Sequence, residues 1–277
     1  MSRIEKALEK ANSLRGQDAV NEVLTVENVT QTQTMPEFFS PEVAVKTDNP
    51  YLAVLNEPNS PAAEEYRKLK SMVVKYTKKG SSLLNTLMVT STAASEGKSL
   101  TALNLAITLA QEYDHTVLLV DADLRRPSLH KYLGVEPRIG LSDCISEGRD
   151  ISQALIRTGI GNLVLLPSGN KVSDPVELLL SGKMKSLIRE LKHRYADRYV
   201  IFDTPPVLPF AEAHSIGLSV DGVIFVVREG GAPLGNVKEA LDMLKGTNII
   251  GVAYNDVEVS SLDSDYYYRG YHSRGEK

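Results

Sequence analysis

Three groups of residues in this 277-residue chain have the types and spacing that phosphate and metal chemistry needs. Gly97, Lys98 and Ser99 supply the end of a G-x-x-x-x-G-K-[ST] pattern, in which Thr92 stands where the first glycine is usual. Such a loop offers backbone N–H groups and a lysine to phosphate, and a hydroxyl to Mg²⁺. An accidental Gly-Lys-Ser at the start of a helix is the alternative interpretation.

The second and third groups are carboxylates at predicted strand ends. Asp121 and Asp123 follow the apolar run 117–120, and Asp203 follows the apolar run 199–202. Side chains two residues apart on a strand point the same way, and ligands of open parallel sheets bind at the carboxyl ends of strands. Taken alone, the aspartate pair also fits a turn that caps the next segment. Together, the three groups predict a site for a nucleoside triphosphate with Mg²⁺.

The elements that position these groups are short apolar runs that alternate with helical stretches from Leu84 onward. Continuous apolarity predicts strands that are buried on both faces, as in a parallel sheet covered by helices. The predicted strands are 87–90, 117–120, 163–166, 199–202, 223–227 and 249–252, and the predicted helices are 99–112, 176–195, 211–218 and 234–244. The expected fold is α/β and P-loop NTPase-like, with a mostly parallel sheet covered by helices on both faces.

The chain is predicted to have three parts. Residues 1–49 comprise an amphipathic helix over 1–15 and a linker, residues 50–256 form the P-loop domain, and residues 257–277 form a polar, flexible tail. Ser60 before Pro61 is a good helix start, and this helix is predicted to run to about Lys79.

Composition excludes several classes of protein. The net charge of −4 disfavours nucleic-acid binding, which usually needs a basic excess. No apolar run approaches the roughly 18 residues that span a bilayer. The single cysteine, Cys144, excludes an intramolecular disulfide and is predicted to pack in the core. The cytoplasm is the expected compartment.

Four motifs resemble those of the bacterial tyrosine kinases (BY-kinases) of exopolysaccharide biosynthesis. Residues 95–99 are similar to the Walker A motif of that family, 120–127 to its Walker A′ motif and 201–206 to its Walker B motif. Residues 266–271 match its C-terminal tyrosine cluster. The resemblance runs from about Ser60 to the C-terminus. The sequence near Ile4 to Leu8 is most similar to the exosortase-associated autokinase branch.

The resemblance implies ATP and Mg²⁺ as cofactors and transfer of the γ-phosphoryl group to protein tyrosine. Lys98, Asp121 as general base and Asp123 are the implied catalytic residues. The implied nucleotide-binding residues are Ser95, Glu96, Gly97, Lys98, Ser99, Leu100 and, for adenine, Asn255; the implied metal ligands are Ser99, Asp203 and Asp121; and the implied phosphoacceptors are Tyr266, Tyr267, Tyr268 and Tyr271.

Partners are implied as well. Glu64, Arg67 and Lys70 occupy the family's Glu-x-x-Arg-x-x-Arg assembly motif and imply a homo-oligomer. Because lysine cannot make the planar bidentate contact of arginine, Lys70 makes the family's ring less secure. The implied activator is a membrane polysaccharide co-polymerase or chain-length protein, which would recruit the kinase to the inner face of the cell membrane.

Some alternatives remain open at this stage. A partitioning or division-site ATPase of the same superfamily would carry a signature lysine at Ala93, five residues before Lys98. A nucleotide-dependent scaffold is a further alternative. Where the family often has Pro-Gly, this chain has Ala94 and Ser95. Arg125 and Arg126 fit a phosphate contact, a subunit contact or a solvated turn.

Overall fold

The computed structural model describes residues 45, 49–79, 82–112, 115–194 and 198–257. The predicted N-terminal helix, almost all of the predicted linker and the four tail tyrosines lie outside these described residues, as does all of the tail beyond Val257. No helix among the described residues is both long enough and apolar enough to cross a membrane.

The described chain alternates helices and strands, as the sequence predicts. The elements are α1 (Ala53–Asn56), α2 (Pro61–Thr77), β1 (Lys78–Lys79), β2 (Ser82–Leu83), β3 (Thr86–Ser91), α3 (Lys98–Ala110), β4 (Thr116–Asp121), α4 (Leu129–Tyr132), α5 (Leu141–Glu147), β5 (Ile156–Arg157), β6 (Leu163–Leu166), α6 (Pro175–Leu180), α7 (Gly182–Arg194), β7 (Arg198–Asp203), α8 (Glu212–Gly217), β8 (Gly222–Arg228), α9 (Leu234–Met243) and β9 (Ile249–Asn255). Ser60 caps α2, since its hydroxyl accepts a hydrogen bond from the Ala63 N–H.

A seven-stranded sheet organises the domain in the order β5-β6-β4-β7-β3-β8-β9. Within this sheet every strand pair is parallel except β5 with β6. Strand β3 is central between β7 and β8, and β4 lies on the other side of β7. The carboxyl ends of β3, β4 and β7 therefore meet at one edge, where Asp121 stands opposite Asp203 in the strand register.

Alternate residues of the strands feed two hydrophobic cores, one on each face of the sheet. Leu87, Leu119 and Ile201 pack on one face with the apolar residues of α3. Met88, Val120 and Phe202 pack on the other face with residues from α6 to α9. Helices on both faces explain why the strands read as continuous apolar runs, so the predicted fold is confirmed.

One local prediction is wrong, and one short strand of the main sheet was not predicted. The single helix predicted over 176–195 is two helices, α6 and α7, because Ser181 adopts an extended conformation between them. Its hydroxyl accepts a hydrogen bond from the Met184 N–H and so begins the second helix. The antiparallel strand β5 was not predicted, since two residues are too few to show a period.

Candidate nucleotide and metal site

The loop between β3 and α3 has the form of a phosphate-binding loop. Strand β3 ends at Ser91, and α3 begins at Lys98. The side chain of Glu96 folds back over the loop, where its Oε2 accepts a hydrogen bond from the Ala93 N–H at 2.7 Å. The hydroxyl of Ser91 donates to the Ala93 carbonyl, also at 2.7 Å. These contacts hold the loop at the N-terminus of a long helix, which is a favourable place for an anion.

Two residues of the loop lie in the left-handed region of backbone conformation. Gly97 has φ of +90°, and a Cβ there would stand 2.0 Å from Nδ2 of Asn255. Ser95 has φ of +66°, which is unfavourable for a residue with a side chain. The family's usual glycine at this position therefore has a physical reason, and Ser95 carries local strain that glycine would not.

Lys98 is the charged centre of the site. Its ammonium lies 2.8 Å from Oδ2 of Asp123 and 3.8 Å from Oδ1 of Asp203. It also donates to the Ser99 hydroxyl at 3.1 Å. Burial lowers the pKa of Lys98, but the negative charges of Asp203 and Asp123 outweigh it and leave the pKa raised. The lysine is thus firmly charged and held by carboxylates at the place where phosphate is expected.

Asp121 and Asp123 perform different tasks. Oδ2 of Asp121 accepts hydrogen bonds from the N–H groups of Ser128 and Leu129 at the start of α4, at 3.1 and 3.2 Å, whereas Oδ1 accepts none. Asp123 faces the open cleft and pairs with Lys98. Burial raises the pKa of Asp121 well above its usual value, and the neighbouring charge of Asp203 adds to the rise. Asp121 therefore caps a turn, as one of the sequence interpretations holds, and also contributes charge to the site.

Asp203 is a fully buried carboxylate at the end of β7. Neither of its oxygens accepts a hydrogen bond of normal length from the described residues, although Oδ1 lies 3.8 Å from the Lys98 ammonium. Burial raises its pKa to about 6, despite the opposing attraction of Lys98. Three buried carboxylates, those of Asp121, Asp123 and Asp203, thus surround one lysine. A site with this excess of negative charge is suited to a cation.

The donor set fits Mg²⁺ bound together with phosphate. The Ser99 hydroxyl and the unpaired oxygens of Asp203 are the hard oxygen ligands that Mg²⁺ prefers. No group of three or more His, Cys, Asp or Glu residues in the described chain could hold a metal by itself. Mg²⁺ usually takes only one or two protein ligands and completes its shell with water and substrate phosphates, so this limited set is sufficient.

A cleft of about 720 Å³ lies above the loop. Most of the predicted nucleotide-binding residues line it, namely Ser95, Gly97, Lys98, Ser99, Leu100 and Asn255. Asn255 at the end of β9 donates from Nδ2 to the Glu96 carbonyl at 3.0 Å, so it supports the loop from the side opposite Asp203. Its predicted contact with adenine stays a prediction.

The predicted assembly residues on α2 all have partners within the chain. Arg67 pairs with Glu64 at 2.8 Å and also donates to the Pro58 carbonyl. Lys70 does not join them, because its ammonium lies 2.6 Å from Oε1 of Glu112. Cys144 packs against the second core, and burial raises its thiol pKa to about 11, so its predicted packing role agrees with its surroundings.

Several cleft residues were missed by the sequence analysis. Tyr51, Tyr132 and Phe210 line the cleft, and Glu212 lies fully buried beneath Arg125. None of them belongs to a recognisable motif, and Tyr51 precedes the P-loop by more than forty residues. The one signal in the sequence was Glu212 itself, an acidic residue nine positions after Asp203. The hydrophobic pattern around it did not distinguish it from a surface residue.

The fold and the site together define a P-loop nucleotide-binding domain. Residues 87–266 match the CobQ/CobB/MinD/ParA nucleotide binding domain family. The solved structure of the septum site-determining protein MinD with Mg-ADP, from Pyrococcus horikoshii, has the same fold, with 24% identity, a TM-score of 0.52, and coverage of 65% of this chain and 76% of that chain.

More similar proteins narrow the class. Tyrosine-protein kinase YwqD of Bacillus subtilis is 35% identical over 219 residues, which are 78% of this chain and 90% of YwqD. The solved kinase domain of the Escherichia coli tyrosine kinase Etk is 30% identical with a TM-score of 0.70, and the match covers 79% of this chain and 85% of that domain. This chain belongs to the family of bacterial tyrosine-protein kinases.

Proposed function

We propose that this protein is an ATP-dependent protein-tyrosine autokinase that regulates the synthesis, chain length or export of an exopolysaccharide. The similarity to YwqD over 90% of its length supports the activity. The single structural observation that carries the proposal is the arrangement of Lys98 between Asp123 and Asp203 at the end of the phosphate-binding loop.

Each residue of the site has a proposed task. When bound, ATP with Mg²⁺ supplies the γ-phosphoryl group and the charge that balances the carboxylates. The N–H groups around Gly97 bind phosphate, Lys98 turns from Asp123 to the β- and γ-phosphates, and Ser99 and Asp203 hold the metal shell. Asn255 holds the loop beside the base.

The proton of the acceptor phenol needs a carboxylate. A tyrosine hydroxyl has a pKa of about 10 and so arrives neutral. The resemblance implies Asp121 as the general base. Asp123 lines the cleft and is the carboxylate that an entering phenol meets first. When Lys98 turns to phosphate, Oδ2 of Asp123 loses its ion-pair partner, while Oδ1 keeps the hydrogen bond from the Arg126 N–H at 3.0 Å. We therefore extend the proposal to Asp123 as proton acceptor, with Asp121 holding the loop that carries it.

The proposed acceptors are the tail tyrosines Tyr266, Tyr267, Tyr268 and Tyr271. Each phosphate adds about −1.5 to −2 charges. Since Asp263 and Asp265 already precede the cluster, phosphorylation would weaken docking of the tail by repulsion. Changing all four tyrosines to Phe is expected to remove most autophosphorylation and to leave nucleotide affinity unchanged, as measured by phosphopeptide mass mapping and fluorescent-nucleotide titration. Incorporation at the wild-type level would place the acceptors elsewhere.

A membrane polysaccharide co-polymerase is the proposed activator, and docking through residues 1–49 is the proposed contact. Deleting that segment should abolish capture by the partner while phosphorylation of added peptide persists. Full capture of the truncated protein would remove this role.

A homo-oligomer is proposed through α2. Because Arg67 and Lys70 already have partners within the chain, we expect assembly to be weak. Sedimentation of unphosphorylated protein with nucleotide measures it, and a strict monomer at micromolar concentration would exclude a ring.

A further inference from the structure

The cleft runs across the carboxyl edge of the sheet, so the order of the strands defines a β9 end and a β4 end. On the β8 and β9 side, the cleft is lined by Arg228, Asn255 and Asp256. The phosphate-binding loop follows the central strand β3. On the opposite side, beyond β7, the loop after β4 brings Arg125 to the cleft. With a nucleotide stretched from the β9 side to the loop, the β4 side is the end from which a phosphoryl acceptor enters.

Arg125 is held firmly at this acceptor end. Its Nε donates to Oε1 of Glu212 at 2.7 Å, and the Glu212 side chain is fully buried. The guanidinium also lies over the ring of Phe210, 4.2 Å from the ring centroid. Arg125 follows β4, while Phe210 and Glu212 follow β7, so the contact joins the loop that carries Asp123 to the segment that comes after Asp203. A planar cation fixed at one edge and one face has little rotational freedom left to lose on binding.

The outer edge of this guanidinium is available. Only Nε has a hydrogen-bond partner among the described residues, and the side chain is 31% exposed where it lines the cleft. The two terminal nitrogens of an arginine form a fork that matches a carboxylate or a phosphate with two parallel hydrogen bonds. Arg125 therefore offers a prepared anion-binding fork outside the phosphate-binding loop.

Two tyrosines form an aromatic wall of the same cleft. The rings of Tyr51 and Tyr132 meet edge to face, with centroids 5.9 Å apart. Tyr51 is fastened from both sides, because its carbonyl accepts from Asn104 at 2.9 Å and its N–H donates to Asn49 at 3.0 Å. Tyr132 lines the same cleft as Lys98 and Asp123. The walls suit an aromatic side chain.

We propose that Arg125, positioned by Glu212 and Phe210, is an acceptor-binding residue that selects tyrosines preceded by acidic residues. This inference rests on the proposed kinase function. The fork pairs with a carboxylate of the acceptor segment, while the acceptor ring enters between Phe210 and the two wall tyrosines. The chain's own tail has this chemistry, since Asp263 and Asp265 stand just before Tyr266. Glu212 is a positioning residue that acts through Arg125.

Because Glu212 is fully buried, the variants must not leave its charge without a partner. Removing Arg125 alone would leave the Glu212 charge buried without a partner, which destabilises proteins strongly. The double variant Arg125→Gln/Glu212→Gln removes both charges together, and Arg125→Lys keeps the charge but loses the planar fork. The matched control is Glu147→Gln/Arg149→Gln, because that pair has a similar separation of 2.6 Å but lies exposed and outside the cleft lining.

The probes are two fluorescein-labelled synthetic peptides with the sequence of residues 260–271, one native and one with Asn in place of Asp263 and Asp265. Anisotropy with the full chain and a non-hydrolysable ATP analogue measures binding without requiring catalysis. Wild type and the control should prefer the acidic peptide by about tenfold, as expected for a charge-assisted bidentate pair. The double variant should lose this preference, and Glu212→Gln and Arg125→Lys should each retain only part of it.

Steady-state phosphorylation of the same peptides distinguishes a loss of peptide binding, which raises KM, from a loss of folded protein, which lowers the apparent kcat. The double variant should raise KM for the acidic peptide, with kcat at saturation and nucleotide affinity each within about threefold of wild type. An unchanged acidic preference, or no preference in wild type, would overturn the proposal. A selective loss of ATP-analogue affinity in the double variant would instead assign the Arg125 guanidinium to the γ-phosphate. That result would also overturn the proposal. If wild type binds the acidic peptide but forms no phosphotyrosine, the kinase function fails and the acidic-binding site stands.

Discussion

An aspartate at the amino edge of the sheet and one at its carboxyl edge have opposite surroundings. Asp221, at the start of β8, accepts hydrogen bonds from the Thr86 N–H at 3.2 Å and its hydroxyl at 2.8 Å, and it also pairs with Lys192. Burial raises its pKa, but these hydrogen bonds outweigh burial and leave the pKa lowered. Asp203, at the end of β7, accepts no hydrogen bond of normal length from the residues that the structure describes, and its pKa is raised to about 6 despite the Lys98 ammonium 3.8 Å away.

The contrast separates groups that stabilise the fold from groups held for a ligand. A carboxylate that the protein itself satisfies adds stability, whereas one that is buried and left unsatisfied costs stability until a ligand arrives. The unsatisfied carboxylates, the strained Ser95 and the buried Lys98 all lie at the carboxyl edge of the sheet. That concentration is the physical basis for placing the site there.

The largest expected effect on stability is at Asp221. Asp221→Asn should lower the free energy of unfolding by about 2 to 3 kcal/mol, because charged hydrogen bonds to Thr86 and Lys192 are lost. Urea unfolding measures this effect, and nucleotide affinity should stay within about twofold of wild type. The control Asp242→Asn removes an exposed pair with Lys245 and should change stability by less than about 0.5 kcal/mol. Equal effects of the two variants would contradict the contrast.

Replacement of Asp203 is expected to change the free energy of unfolding in the opposite direction. Asp203→Asn should stabilise the metal-free protein at pH 7.5 by about 1 to 2 kcal/mol, since it removes a charge whose cost of burial exceeds the attraction of Lys98. It should also abolish binding of Mg²⁺ with nucleotide. Destabilisation of the metal-free protein by this variant would argue that Asp203 serves the fold, as Asp221 does.

The pH dependence follows from the same raised pKa. A carboxyl group whose pKa rises from 3.8 to about 6 on folding binds its proton more tightly in the folded state. Its contribution to stability is therefore complete at low pH and is lost as pH increases from about 4 to 6. The gain from Asp203→Asn should shrink when unfolding is measured at pH 5 in EDTA. A gain that stays constant between pH 5 and 7.5 would exclude this explanation.

The sequence could predict much of this arrangement. The continuous apolar runs indicated the parallel strands, and the strand ends indicated Asp121, Asp123 and Asp203, because both signals are local. The sequence could not show that Asp121 accepts hydrogen bonds from Ser128 and Leu129 while Asp123 forms the ion pair with Lys98. That division depends on where α4 returns to the sheet. Glu212 and Tyr51 were missed for the same reason, since only the folded chain brings them to the cleft.

The smallest expected effect concerns the strained loop. Ser95→Gly should stabilise the protein by about 0.5 kcal/mol, because relief of the left-handed backbone outweighs the greater freedom of glycine in the unfolded chain. Ser95→Ala keeps the strain and serves as the control in the same thermal unfolding experiment. If the two variants have the same stability, Ser95 is not strained.

We propose that the site at the carboxyl edge of the sheet transfers the γ-phosphoryl group of ATP to tyrosine. Purified full chain should be incubated with Mg²⁺ and ATP labelled in either the γ- or the α-phosphate, and its hydrolysed amino acids then separated. Label from γ-labelled ATP alone is expected in phosphotyrosine, with a reduction of at least about 100-fold in Lys98→Met and none in the control Asp242→Asn. Release of labelled phosphate to solvent without phosphotyrosine in the wild-type protein would contradict the account and indicate an ATPase.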